Sequence, residues 1–263
     1  MLTSNQGDET KEKNLVPVIE RMLDILEILE RSAAGVGIRQ LCQDLSMPRS
    51  TVYRILNTLE VRDMVRRTSN GSFMLGSRLL MLAANVFNGE TATLVDIGKQ
   101  RLEALSRATG EASKLSVCDV EKVLVIAVAT GSGEYSLSVK PGQKQALHAG
   151  AASKVLLAHM PPHEIDRLLS APLMRYTEQT LVDPVLIREE LETIRRQGWA
   201  YDQGEFSNGV FAVAAPVKDR NGKVVAAASI PFLSTPDAPR VNKLRLAVIA
   251  AAAAIAEELA NAA

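Results

Sequence analysis

Arg49, Ser50, Thr51, Tyr53, Arg54, Asn57 and Thr58 are interleaved with Val52, Ile55, Leu56 and Leu59 in a run suited to nucleic-acid recognition. The four apolar residues recur at i, i+3, i+4 and i+7, the spacing of one buried helical stripe. The remaining face then presents guanidinium, hydroxyl, phenol and amide groups, which bond phosphate oxygens and base edges. A helix face that is merely solvated relies on Glu and Lys instead. Ser46 is the expected N-cap and Pro48 falls in the first turn, so the reading end is the N-terminal half, from Arg49 onward.

A second set of polar residues lies far along the chain. Asp202 ends an expected strand near Glu205, where Gly204 and Gly209 permit irregular backbone, and reads either as the anchor of a polar ligand group or as a turn aspartate. Ser229, in the apolar run AAASI, is a strand serine whose hydroxyl needs a partner if buried. Residues 149–159, AGAASKVLLAH, open a helix with little side-chain bulk, so its first backbone N–H groups could face an anion.

Enzyme machinery is not legible. The chain has no GxSxG elbow, Walker A loop, GxGxxG or HExxH. Ser153 and Lys154 are adjacent on a helix, where neighbours point about 100° apart and do not face each other. His148, His159 and His163 lack ligand spacing and read as structural or exposed. Cys42 and Cys118 form no CxxC or Cys/His cluster and read as buried free thiols, which fits a reducing cytoplasm. No catalytic residue, metal site or cofactor is therefore expected. The competing reading is an enzyme or carrier that transforms a small molecule in its second domain and uses the first to bind partners.

The elements that must position these groups follow from periodicity. Val18, Met22, Ile25, Leu26 and Leu29 mark a supporting helix closed by Gly35 and Gly37. Ile38, Leu41, Cys42 and Leu45 mark a short helix one tight turn before the arginine-bearing one, which is helix-turn-helix spacing. Residues 64–68 and 72–75 flank Asn70-Gly71, a dipeptide that accepts the positive φ of a tight hairpin. That hairpin is a wing. Residues 77–90 read as a linker helix apolar on more than one side, most simply paired with the same helix of a second subunit.

Beyond residue 91 a helix over 93–109 precedes β-rich runs at 114–118, 123–128 and 135–139. Helices over 163–169 and 184–197, strands over 199–202, 210–217 and 224–230, and a helix from Val241 to Leu259 complete an α+β domain with a mixed sheet of about six strands. The expected organisation is a disordered tail over 1–14, a winged helix-turn-helix domain over 15–76, the linker over 77–90, and an effector-binding and oligomerisation domain over 91–263.

With 263 residues, 47% of them hydrophobic, the chain is long enough for two cores. Mean hydropathy is +0.05. No apolar run reaches the roughly 18 residues of a membrane span, and the polar N-terminus is not a signal peptide. Net charge is zero, yet residues 47–78 hold six arginines against Glu60 and Asp63, a local +4. Phosphate binding by such a patch is steeply salt-dependent.

The segments PRSTVYRILNTLE and VRRTSNGSFMLGSRLL resemble the winged-helix region of IclR-type transcriptional regulators. The resemblance continues through LHAGAASKVLLAHMP, RYTEQTLVDP and GWAYDQGEFSNGVFAVAAPVKDRNGKVVAAASI, covering residues 18–260. It implies a winged helix-turn-helix, a linker helix and a C-terminal GAF-like effector domain. It further implies a cytoplasmic homodimer or homotetramer that binds double-stranded operator DNA, with both repressors and activators occurring in the family. The expected function is repression of a catabolic operon, relieved by a small organic acid or semialdehyde-type metabolite, with no membrane association.

Carried onto this chain, Arg49, Ser50, Thr51, Tyr53 and Arg54 match the DNA-contacting helix, and Arg66 and Arg67 the wing. Arg39 and Asn57 are further DNA-binding candidates. The effector cavity is matched by Ala151, Ala152, Asp202, Ala212 and Ser229, with backbone amides at the helix start holding a ligand carboxylate. Cys118, Leu147 and Ser153 are candidates beside them. The chain departs from the family pattern at Ser153, where Gly is common, at Gln203-Gly204, where acids are common, and at Ile230-Pro231, where a second serine is usual. Those departures imply a short ligand with a carboxylate or carbonyl and an apolar body: an oxo acid, hydroxy acid or semialdehyde.

Overall fold

The computed structural model describes residues 15–32, 34–79, 81–82, 89–133, 137, 139–233 and 237–262, and of residues 89–91 the backbone only. They fall into two compact units, one ending at Asn88 and the other starting at Gly89. The expected tail over 1–14, half of the linker helix expected over 77–90, and residues 135, 136 and 138 of the strand expected over 135–139 lie outside the described residues.

In the first unit, α1 (Pro17–Glu30) starts with Pro17 at a position where no backbone donor is needed, and buries Ile25 and Leu29. α2 (Ile38–Asp44) buries Leu41, and α3 (Arg49–Val61) buries Val52, Ile55, Leu56 and Leu59, the stripe read from spacing. These side chains share one core with Val36, Val65 and Phe73. Ser46 does not cap α3. It takes a left-handed conformation, φ 51°, inside the turn, and Pro48 occupies the N-cap with no side-chain hydrogen bond. The turn needed a residue at positive φ, and that requirement took precedence over capping.

The wing is β1 (Val65–Arg67) paired antiparallel with β2 (Phe73–Leu75), with Gly71 at φ 83° in the turn. Thr68 Oγ1 donates to Ser72 O at 2.9 Å, and a bridge from Val36 to Phe73 ties the wing to the α1–α2 connection. At its base Gly76 N donates to Met64 O at 2.8 Å. A Cβ on Gly76 would stand 2.1 Å from Asp63 O, so backbone would have to move. Gly76→Ala is expected to destabilise this unit by about 1–3 kcal/mol, the usual range for forced overpacking. A fall in the midpoint of the first unit's unfolding transition in urea checks it.

The second unit contains α4 (Gly89–Thr109), β3 (Ser113–Asp119), β4 (Lys122–Ala129), β5 (Lys144–Ala146), α5 (Ala151–Ala158), α6 (Pro162–Leu169) and α7 (Pro184–Gln197), followed by β6 (Ala200–Gln203), β7 (Val210–Lys218), β8 (Val224–Leu233) and α8 (Ala238–Ala262). The six strands run in the order β5-β4-β3-β8-β7-β6. Among the described residues every pairing is antiparallel, so the expectation of a mixed sheet is corrected. Hairpins such as Asp219 to Lys223, where Asp219 Oδ1 accepts from Asn221 N and Lys223 N, allow this because they need no crossover.

α5 covers one sheet face, packing on Ala200, Ala212, Ala214 and Ala227. α4 and α8 pack against each other and cover the other face, where Arg240 lies over the Phe232 ring and a Cβ on Gly98 would strike Leu115. α7 is delimited as its sequence predicts: Asp183 Oδ1 accepts from Val185 N at 2.7 Å, and Gly198, at φ 77°, ends it. β5 was not foreseen. Its Lys-Gln-Ala carries no alternation, and pairing with β4 alone makes it a strand.

Candidate nucleic-acid interface and effector site

With its apolar stripe turned inward, α3 leaves Arg49, Ser50, Tyr53 and Arg54 exposed and Thr51 and Asn57 half-buried. Arg66 and Arg67 are exposed on the wing, and Arg39 on α2. Among the described residues no ion pair engages Arg39, Arg49, Arg54, Arg66 or Arg67. The Arg67 guanidinium lies 5.5 Å from the centre of the Phe73 ring, so the wing's own core orients it. α3 has no side-chain cap and no acid in its first turn, so its first N–H groups and its arginines form one electropositive end. Such an end is complementary to phosphate, and the exposed face carries groups of the kind that bond base edges.

In the second unit, Gly150 at φ 99° turns the chain into α5, and all eight residues of that helix are buried. A charge inside so apolar a helix needs partners. The Lys154 ammonium donates to Glu190 Oε1 and Glu205 Oε1, each at 2.5 Å, and to Tyr201 O at 3.1 Å. Burial works against its charge, yet the two carboxylates hold Lys154 above its ordinary range. Glu205 is pushed up to about 7, because burial and the neighbouring Glu190 and Asp202 outweigh the single ammonium. Three carboxylates thus share one close cation.

Asp202 lies opposite Ala212 in the β6–β7 register. Its Oδ1 accepts from Gly204 N at 3.0 Å and Glu205 N at 2.7 Å, fixing the bend after β6, while Oδ2 would stand 3.9 Å from a Cβ on Gly150. Burial raises its pKa against those two hydrogen bonds and the charges of Lys154 and Lys114. Ser229 pairs with Ala214 on one side and Lys114 on the other, so all three share the face under α5. The hydroxyls of Ser116, Ser153 and Ser229 are buried without a hydrogen-bond partner. Unpartnered buried hydroxyls are unfavourable unless something else completes them.

Ala151, Ala152, Ser153, Asp202, Ala212 and Ser229 are thus assembled around the start of α5. Leu147 is buried in the same apolar cluster. Cys118 is not brought in: it is exposed, about 13 Å along β3 from Lys114, beyond the β8 pairing and opposite Val123 near the β3–β4 turn. The expectation that its thiol is buried is corrected. His148 bonds Met174 O at 2.8 Å and stacks on Tyr176, His159 bonds Val155 O, and His163 is exposed. Among the described residues no cluster of His, Cys, Asp or Glu could hold a metal, and no helix is long and apolar enough to cross a membrane.

Two buried residues escaped the sequence reading. Lys154 had a signal, a lone charge in an otherwise apolar octet. Lys114 had none, because a lysine alternating along a strand reads as solvated until the sheet order makes that strand interior.

Comparisons agree with this architecture. The family model for the bacterial transcriptional regulator IclR C-terminal region matches residues 90–259, and that for the IclR helix-turn-helix domain matches residues 18–69. The chain is 32% identical over 240 residues to the HTH-type transcriptional regulator BhcR of Paracoccus denitrificans (strain Pd 1222), spanning 90% of this chain and 85% of that protein. It is 28% identical over 219 residues to the transcriptional repressor IclR of Escherichia coli K12, spanning 82% and 79%. The Thermotoga maritima IclR structure superposes with TM-score 0.76 at 24% identity, covering 93% of this chain and 99% of that one. An IclR homolog from Microbacterium hydrocarbonoxydans, complexed with 4-hydroxybenzoate, gives 0.71 at 23%, covering 94% and 100%. At those identities the structures bear on fold alone.

Proposed function

The chain belongs to the IclR family of bacterial transcriptional regulators, and we propose that it represses a catabolic operon and releases its operator when a small organic acid binds under α5. It is a ligand-responsive DNA-binding regulator rather than an enzyme. Within it we assign residues 15–76 to operator binding, 77–90 to the linker, and 91–263 to effector binding and self-association as a dimer or tetramer. Arg49, Ser50, Thr51, Tyr53 and Arg54 read the site with Asn57 and Arg39, and Arg66 and Arg67 hold the flanking phosphates.

The observation that carries this reading is the burial of the whole apolar stripe of α3, which leaves an uncapped, unpaired arginine-bearing face with no structural work of its own. For the switch, the effector must bind one arrangement of two winged units more tightly than the other. Indifferent binding shifts nothing, however tight.

The test is fluorescence anisotropy of a labelled duplex from the native upstream region, with short hydroxy, amino and oxo acids and 4-hydroxybenzoate as candidate effectors. A salt-sensitive complex released by one of them supports the reading, and a complex indifferent to salt sinks it. Asp202→Asn keeps an acceptor for the 204–205 backbone but turns the second oxygen into a donor. It is expected to raise the concentration for half-release roughly tenfold or more. Equal weakening of DNA binding in the absence of effector would mark Asp202 as structural.

A further inference from the structure

Lys114 is a buried ammonium without an anion. It is 7% exposed, and its Nζ donates to the neutral Gln145 Oε1 at 3.0 Å. It shares its sheet face with Ser229, opposite it on β8, and with Ser116, two residues along β3. Both hydroxyls lack partners, as does that of Ser153 on the helix above. Asp202, 3% exposed, is near enough for the two charges to influence each other, yet the pair forms no ion pair among the described residues. Two opposite charges thus stand apart across a set of unsatisfied hydroxyls.

We propose that this site takes a small carboxylate bearing a hydrogen-bond donor, a hydroxy or amino acid, with its carboxylate on Lys114 and its donor on Asp202 Oδ2. The assignment rests on the second unit being the effector-binding unit.

The entry to α5 already has an anion beside it, because a Cβ on Gly150 would stand 3.9 Å from Asp202 Oδ2. The cation left without one is Lys114. Burial lowers its pKa to about 8, against the pull of Asp202, the mark of an ammonium short of negative charge. A ligand carboxylate supplies that charge. Asp202, ionised, is acceptor-only, so the group set against it must donate. The carbonyl of an oxo acid or aldehyde offers one more acceptor there and is disfavoured. Serine hydroxyls rotate to either role and can complete both ends. The same sheet face carries Ala212, Ala214 and Ala227, buried in the apolar cluster under α5, so the surroundings of these polar groups suit a short apolar body.

The test is isothermal titration of the full-length protein with lactate, alanine, pyruvate and lactamide, and with 3-hydroxybutyrate, 3-aminobutyrate and acetoacetate. A hydroxy or amino acid is expected to bind roughly tenfold or more tightly than its oxo counterpart, and lactate more tightly than lactamide. The hydroxy and amino members separate the two donors. Lys114→Met is expected to weaken binding roughly 30-fold or more, with partial recovery in Lys114→Arg. Ser229→Ala, which removes no charge, is expected to weaken it several-fold and covers the case of a misfolded Lys114 variant.

An oxo acid that binds as well as its partner, Lys114→Met or Ser229→Ala without effect, or no binding by any member overturns the proposal. Operator titrations on the same preparations separate the wider reading. Release by an oxo acid leaves the regulator standing and removes the donor assigned to Asp202, and release by a neutral compound removes this role from Lys114.

Discussion

Replacing Lys154 by Met is expected to destabilise the second unit by about 3–5 kcal/mol at pH 8, and by less at pH 6. The ammonium is 1% exposed and pairs with two carboxylates, of which Glu205 is 8% exposed and Glu190 27%. Methionine fills the volume of the aliphatic stem but leaves both acids without their cation. The pH dependence follows from Glu205, whose pKa in the folded chain is raised from 4.5 to about 7. Between those values the folded state binds more protons than the unfolded one, so this group's contribution falls as pH rises. Without Lys154 the folded pKa climbs further and the loss extends to higher pH. Lys154 itself, raised above 10.5, contributes fully below that value.

Urea unfolding at pH 6 and pH 8 measures the effect. Adding Glu205→Gln to the variant is expected to recover part of the loss at pH 8. A midpoint unchanged at pH 8 would mean that desolvation already cancels the attraction in the native pair, which happens in some buried ion pairs.

The second large effect is on DNA. Arg54→Ala is expected to weaken operator binding roughly tenfold and to lower the slope of log affinity against log salt by about 1. Arg54 is exposed on the face of α3 opposite its buried stripe, and its backbone carbonyl accepts from Thr58 Oγ1 at 2.9 Å, so the helix there does not depend on the guanidinium. Arg31→Ala serves as the control. Arg31 is also an exposed arginine, but it sits at the end of α1 beside Glu27, 3.7 Å away, and is expected to change neither quantity. A loss confined to the native sequence with an unchanged slope would move Arg54 from a phosphate to a base edge. No loss at all would remove it from the interface.

The first unit was nearly all legible from local order. Val52, Ile55, Leu56 and Leu59 are four residues of one helix, and their spacing specifies both the buried and the free face. Asn70-Gly71 specifies the wing's turn in the same way, since positive φ is a property of two residues and not of a fold. The error at Ser46 has the same scale: a capping residue and a turn residue look alike, and only the backbone path separates them.

In the second unit every described strand but β5, the helix ends and the polar candidates Asp202 and Ser229 were legible, and their meaning was not. The sequence alone determined which residues are apolar, where the chain turns and which face of α3 stays free, because these depend on neighbours a few positions apart. The tertiary structure alone decided that Lys114 and Ser229 are opposite each other, that Lys154 meets Glu190 and Glu205, and that Cys118 stays at the exposed end of its strand. Each of these depends on sheet order and on the fall in dielectric with burial. Residues more than a hundred positions apart become electrostatic neighbours only when strands β3 and β8 lie side by side under α5.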